Sequence, residues 1–110
     1  MTRQKQLEQL QKIADAKSDL TLARLAEVNS RIAATEKEKD TLHQRLVQMS
    51  KSAMTALEVQ ALDKYRGWSA ANCAELDQKL GQLHEKAAQI KELARLDFGK
   101  SQAIKKLLGR

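Results

Sequence analysis

The side chains in this 110-residue chain that could do chemistry are His43, His84, Cys73 and fourteen carboxylates. Their spacing sets what they can do. A metal site needs three or four ligands that converge, and a nucleophile needs a base within hydrogen-bond reach. One cysteine offers neither a second thiolate ligand nor an internal disulfide partner, which fits a reducing compartment. The carboxylates alternate with lysines, as in "EKEKD" at 36–40, and so make solvated pairs along a helix rather than an acid–base dyad. There is no glycine-rich phosphate loop. These patterns argue against an enzyme, and they imply no cofactor and no metal.

The elements that carry these residues are helices. The chain has no proline and only three aromatic residues, and Ala, Leu, Gln, Lys, Arg and Glu dominate it. So few bulky side chains suit helices packed along a thin seam better than a thick core. From Leu25 to Met49, the positions Leu25, Val28, Ile32, Thr35, Lys39, Leu42, Leu46 and Met49 alternate steps of three and four, a heptad seam. Before it, Leu7, Leu10, Ala14, Leu22 and Leu25 suggest a phase slip. A second seam runs through Leu62, Arg66, Ser69, Cys73, Leu76, Leu80, Leu83, Ala87, Ile90 and Ala94. Between the seams, Thr55 and Glu58 have the spacing of a capping box.

The expected fold is therefore all-α. It is a long antiparallel two-helix coiled-coil hairpin in one domain, 1–110, with arm one at about 4–50, a turn at about 50–55 and arm two at about 55–108. Facing residues in such a pair have a constant sum of residue numbers. A sum of 108 meshes the seams, placing Leu46 opposite Leu62, Val28 opposite Leu80 and Leu10 level with Phe98. Sums of 101 and 115 also mesh. In the 108 register the two histidines lie about 30 Å apart along the rod, too far to share a metal.

The charge excess of +6 has a location. Residues 1–12 carry a net +2, residues 98–110 a net +4, and the stretch between them is neutral. A hairpin joins these ends into one basic foot on a neutral rod. Lysines at the end of arm two suit the helix dipole, but the basic start of arm one opposes it.

One stretch breaks the monotony: "KYRGWSAANC", 64–73, which holds Tyr65, Trp68, Cys73 and Gly67. On a helical wheel of about 100° per residue, Tyr65 falls at the seam edge and Trp68 well off it. Trp68 is then a flanking, partly exposed indole, and Cys73 a small seam residue. Gly67 weakens the helix and would permit a close backbone approach or a bend. Tryptophan and tyrosine are enriched at binding hot spots, so the expectation is a contact zone, with packing of the indole over the hairpin as the alternative.

"KYRGWSAANCAELDQKLGQL" and the closing "GKSQAIKKLLGR" resemble the flagellar export protein FliJ and the YscO-like stalks of type III secretion. The resemblance implies a non-enzymatic component of a protein export apparatus. One end of the hairpin enters the hexameric export ATPase ring, and another surface meets the cytoplasmic domain of the export gate. Escort of export chaperones is also implied. On this chain the ring-facing residues are Leu7, Leu10, Phe98, Lys100, Ile104, Lys105, Lys106, Leu107 and Arg110. The gate-facing residues are Tyr65, Trp68 and Asn72. The implied setting is cytoplasmic, peripheral to the membrane machinery and without membrane insertion. Two other readings stand beside it: a generic scaffold coiled coil, and a basic helical nucleic-acid-binding protein. The second lacks a recognised motif and keeps its aromatics far from the basic end.

Overall fold

The computed structural model describes residues 2–109. Two α-helices, α1 (Arg3–Ser52) and α2 (Ala56–Leu107), account for nearly all of them, and no strand occurs among the described residues. The fold is an all-α antiparallel coiled-coil hairpin.

Local chemistry sets the ends of the helices. Thr2 caps α1: its Oγ1 accepts from the Lys5 amide at 3.3 Å, and its carbonyl from the Gln6 amide at 3.1 Å. The turn occupies 53–55 and needs neither glycine nor proline, because Thr55 and Glu58 cap α2 reciprocally. The Glu58 amide donates to Thr55 Oγ1 at 3.1 Å, and Glu58 Oε2 accepts from the Met54 amide at 3.2 Å. At the far end Gly109 adopts φ +76°, the left-handed region glycine enters without penalty, and its amide closes on the Lys106 carbonyl at 3.0 Å.

The paired helices divide into two compact units. One comprises 1–29 with 85–110, and the other comprises 30–84. In the second, called the tip unit below, the seam holds buried Ile32, Thr35, Leu62, Ser69 and Leu83. Thr35 satisfies its hydroxyl locally by donating to the Arg31 carbonyl at 2.8 Å. Arg66, expected in this seam, is exposed, and Tyr65 is half-buried beside that position. The reason is size and charge: a guanidinium gains more from water than from a narrow apolar seam, and the neighbouring ring covers the gap.

In the first unit, called the foot unit, the seam departs further from expectation. No phase slip occurs. Half-buried and buried positions run 7, 11, 14, 18, 21, 25 and 28 on α1 in unbroken steps of four and three. On α2 the run 87, 90, 94, 97, 101 and 104 continues past Ala94 in the same rhythm. Leu10 and Leu22 are exposed, and polar residues take their places in the seam. Gln11 is 6% exposed, Thr21 7%, Asp97 4% and Ser101 3%. Val28, Ala87 and Ile90 supply the buried apolar part.

The register is also corrected. Cross-helix partners in the foot unit are Gln11 with Ser101, Asp15 with Ser101, Lys17 with Asp97 and Thr21 with Asp97. In the tip unit Lys39 pairs with Asp77 at 2.6 Å. Their number sums lie between 112 and 118 and centre on 115, one heptad from the 108 register. The polar partners decide this. In the 108 register Asp97 would be level with Gln11 and lose its bond to Thr21, leaving a buried carboxylate without that donor.

Candidate partner-binding surfaces

A two-fold axis normal to the plane of the two helices relates an antiparallel pair. Residues that precede seam positions therefore lie on the same side of the hairpin in both helices, here called the leading face. Residues that follow seam positions form the opposite, trailing face.

In the tip unit the leading face carries Tyr65, Trp68 and Asn72, spaced three and four apart. The rings of Tyr65 and Trp68 meet with centroids 5.5 Å apart at 38°. Trp68 remains 52% exposed, whereas Tyr65 is half-buried. Asn72 Nδ2 donates to the Trp68 carbonyl at 2.8 Å, fixing its side chain along the same face. A shallow groove of about 320 Å³ lies beside the rings, lined by Arg45, Gln48, Met49, Ser52 and Tyr65. The Tyr65 hydroxyl is buried there and makes no hydrogen bond. A larger groove of about 520 Å³ follows, lined by residues that include Ala34, Thr41, Arg45, Asn72, Glu75 and Leu76. The face thus presents an exposed indole and two grooves, the larger rimmed by both signs of charge.

Gly67 does not serve a close approach within the chain. A Cβ built there meets nothing within 4 Å. Cys73 is free and half-buried in the seam. Lys39, one step along, is held above the ordinary lysine range by its hydrogen bond and charge pairing with Asp77.

The foot unit brings both chain ends together but distributes the sequence-predicted contact residues over three sides. Leu7 and Ile104 are half-buried at seam positions. Leu10, Leu107 and Lys100 lie on the leading face, and Phe98 and Lys105 on the trailing face. Lys106 is exposed on the back of α2. Arg110 lies outside the described residues. Leu10 is not level with Phe98: in the observed register Phe98 is level with Lys17, and Leu10 with Lys105.

Inside the foot the polar seam is a closed circuit. Gln11 Nε2 donates to Asp15 Oδ1 at 2.8 Å and Ser101 Oγ at 2.9 Å, and Ser101 Oγ donates to Asp15 Oδ1 at 2.8 Å. These donors, Ser101 first, hold the Asp15 carboxyl below the usual aspartate range. Gln11 Oε1 is buried without a partner. Thr21 Oγ1 lies 2.8 Å from Asp97 Oδ2 and 3.0 Å from the Lys17 carbonyl, sharing its one proton between them. The Lys17 ammonium approaches Asp97 Oδ1 at 3.8 Å.

Sequence reasoning missed what the polar seam displaces outward. Ile13, Leu20, Leu93 and Leu96 are exposed. Their signal was present: each stands one residue before a seam position once the seam runs through Gln11, Thr21 and Asp97. His43 and His84 stay apart in the corrected register, level with residues 72 and 31 of the opposite helix. Among the described residues no group of three or more His, Cys, Asp or Glu side chains is placed to hold a metal ion. No described helix is long and apolar enough to cross a membrane.

Comparison with known proteins adds no relative: no family model matches the chain, and neither does a curated protein or a solved structure.

Proposed function

We propose that this chain is a non-enzymatic stalk of a protein export apparatus, its basic foot docking in an export ATPase ring and its tip unit meeting the export gate. The observation that carries the reading is the union of the two basic ends. Residues 2–29 and 85–109 belong to one compact unit, cross-linked by the Gln11–Asp15–Ser101 circuit, so the basic residues Arg3, Lys5 and Lys12 and Lys100, Lys105 and Lys106 act as one charged body. A basic end on a neutral coiled coil steers toward an acidic socket. The exposed Trp68 against Tyr65, beside grooves, fits a second contact of the hot-spot kind. In this reading the protein works in the cytoplasm at the membrane machinery, with export chaperones as further partners.

Charge reversal tests it. Lys100→Glu, Lys105→Glu, Lys106→Glu and Arg110→Glu together should weaken ring binding and reduce ATPase stimulation while helicity by circular dichroism is kept. Trp68→Ala should leave melting nearly unchanged, by under about 1 kcal/mol, and weaken gate binding by about 2 kcal/mol. Unchanged ring binding and stimulation would sink the stalk reading. A large melting loss with unchanged gate binding would make the indole a packing residue. DNA binding that falls steeply with salt would favour the nucleic-acid alternative.

A further inference from the structure

The foot unit is organised inside-out. Its seam buries Gln11, Thr21, Asp97 and Ser101, while Leu10, Ile13, Leu20, Leu93, Leu96 and Leu107 stand 46–64% exposed. All six lie on the leading face. The trailing face of the same unit exposes two large apolar residues, Leu22 and Phe98. The acids divide the opposite way, so the net positive charge is greater on the leading face. The leading face carries Lys17, Arg24, Lys86 and Lys100, and Glu27 is its one acid among the described residues. The trailing face carries as many cations, Lys12, Lys91, Arg95 and Lys105, but sets three acids, Glu8, Asp15 and Asp19, among them. Exposed apolar side chains gathered on one side with cations among them mark an interaction surface.

We infer that the leading face of the foot unit is a docking surface for an anionic lipid bilayer. Two features choose this occupant. The first is charge: a second copy of the chain would set cations against cations, whereas an anionic surface neutralises them. Lys17 is already engaged by Asp97, so Arg24, Lys86 and Lys100 carry most of this term. The second is shape. Seam positions alternate between two angles, so the residues before them alternate between the inner rim of the inter-helix groove and the outer shoulders. Leu10, Leu93 and Leu107 stand on the rim, and Ile13, Leu20 and Leu96 on the shoulders. One partner helix seated in the groove covers the rim and leaves the shoulders wet. A plane covers both at once, with the leucines entering the headgroup–acyl boundary and the long cationic chains reaching phosphates. The surface goes beyond the stalk reading and does not depend on it.

The test is vesicle co-sedimentation of the full chain. The probes are phosphatidylcholine vesicles and vesicles in which phosphatidylglycerol replaces a third of that lipid. Binding to the anionic vesicles and little to the neutral ones is expected. Ile13→Ser, Leu20→Ser and Leu96→Ser together should lower partitioning by about tenfold or more, while the trailing-face pair Leu22→Ser and Phe98→Ser changes it by less than about twofold. A second variant, Arg24→Gln, Lys86→Gln and Lys100→Gln, keeps every apolar side chain. It should lower binding by a similar factor and flatten its salt dependence, and it decides the matter if the serine variant loses helicity. No binding to anionic vesicles overturns the inference, as does equal loss in the trailing-face control. Sedimentation showing a dimer that the shoulder substitutions dissociate also overturns it, since the face is then covered by a second copy.

Discussion

Gln11 shows how a single side chain shapes the foot. Its amide nitrogen holds Asp15 and Ser101 together, yet its carbonyl oxygen is buried with nothing to accept from. Leaving such a group unpaired costs about 1–3 kcal/mol, more than one neutral hydrogen bond returns. Gln11→Leu removes the orphan and fills the seam with apolar volume, and Ser101 still donates to Asp15. The variant should be more stable by about 1 kcal/mol, raising Tm by roughly 4–8 °C. A lower Tm in a calorimetric scan would show that the Gln11 donors outweigh the stranded acceptor. The native choice then makes sense as specificity: polar seam residues select one register where leucines would accept several.

At the scale of elements, the helices owe their continuity to composition and their ends to caps. Gly67 is the exception inside α2, where it costs about 1 kcal/mol relative to alanine. Open space surrounds its missing Cβ, and its backbone is ordinary helix. Gly67→Ala should therefore stabilise the hairpin by about 0.5–1 kcal/mol, measured as a shift in urea midpoint at constant m-value. Destabilisation would mean that the helix bends there in solution. The heptad rhythm of α2 and the capping box at Thr55 were both legible in the sequence, since periodicity and capping are local. The occupants of the seam before Leu25 were not legible. A rule that looks for leucines follows Leu10 and Leu22 to the surface and skips the half-buried Ser18 and the buried Gln11 and Thr21, whose amide nitrogen and hydroxyl meet partners on α2.

The register belongs to the molecule as a whole, and it can be tested directly. In a Cys73→Ser background, Ala14→Cys with Ser101→Cys joins residues that face each other at the observed sum of 115. Ala14→Cys with Ala94→Cys would face at 108. Mild oxidation should close the first pair within one chain and leave the second open, because a disulfide demands Cα atoms within about 7 Å and one heptad displaces them by about 10 Å. Preferential closure of the second pair would overturn the register. The two faces would remain, because a shift of one heptad returns every residue to the same side of its helix.

Sequence alone determined the fold class, the turn chemistry and the position of the charge. Each follows from composition, from local spacing or from counting along the chain. It also narrowed the register to three values, because heptads repeat every seven residues and mesh equally well at each. Tertiary structure chose among them through a few long-range polar pairs, Gln11 with Ser101, Thr21 with Asp97 and Lys39 with Asp77. Those pairs are invisible to periodicity, since a buried threonine or aspartate looks like a surface residue until its partner is known. The phase of each helix at the foot, fixed by the same buried polar residues, decided which leucines are buried and which face outward. A shift of one residue along a helix turns a side chain by about 100°, the difference between the seam and the exposed face at the foot.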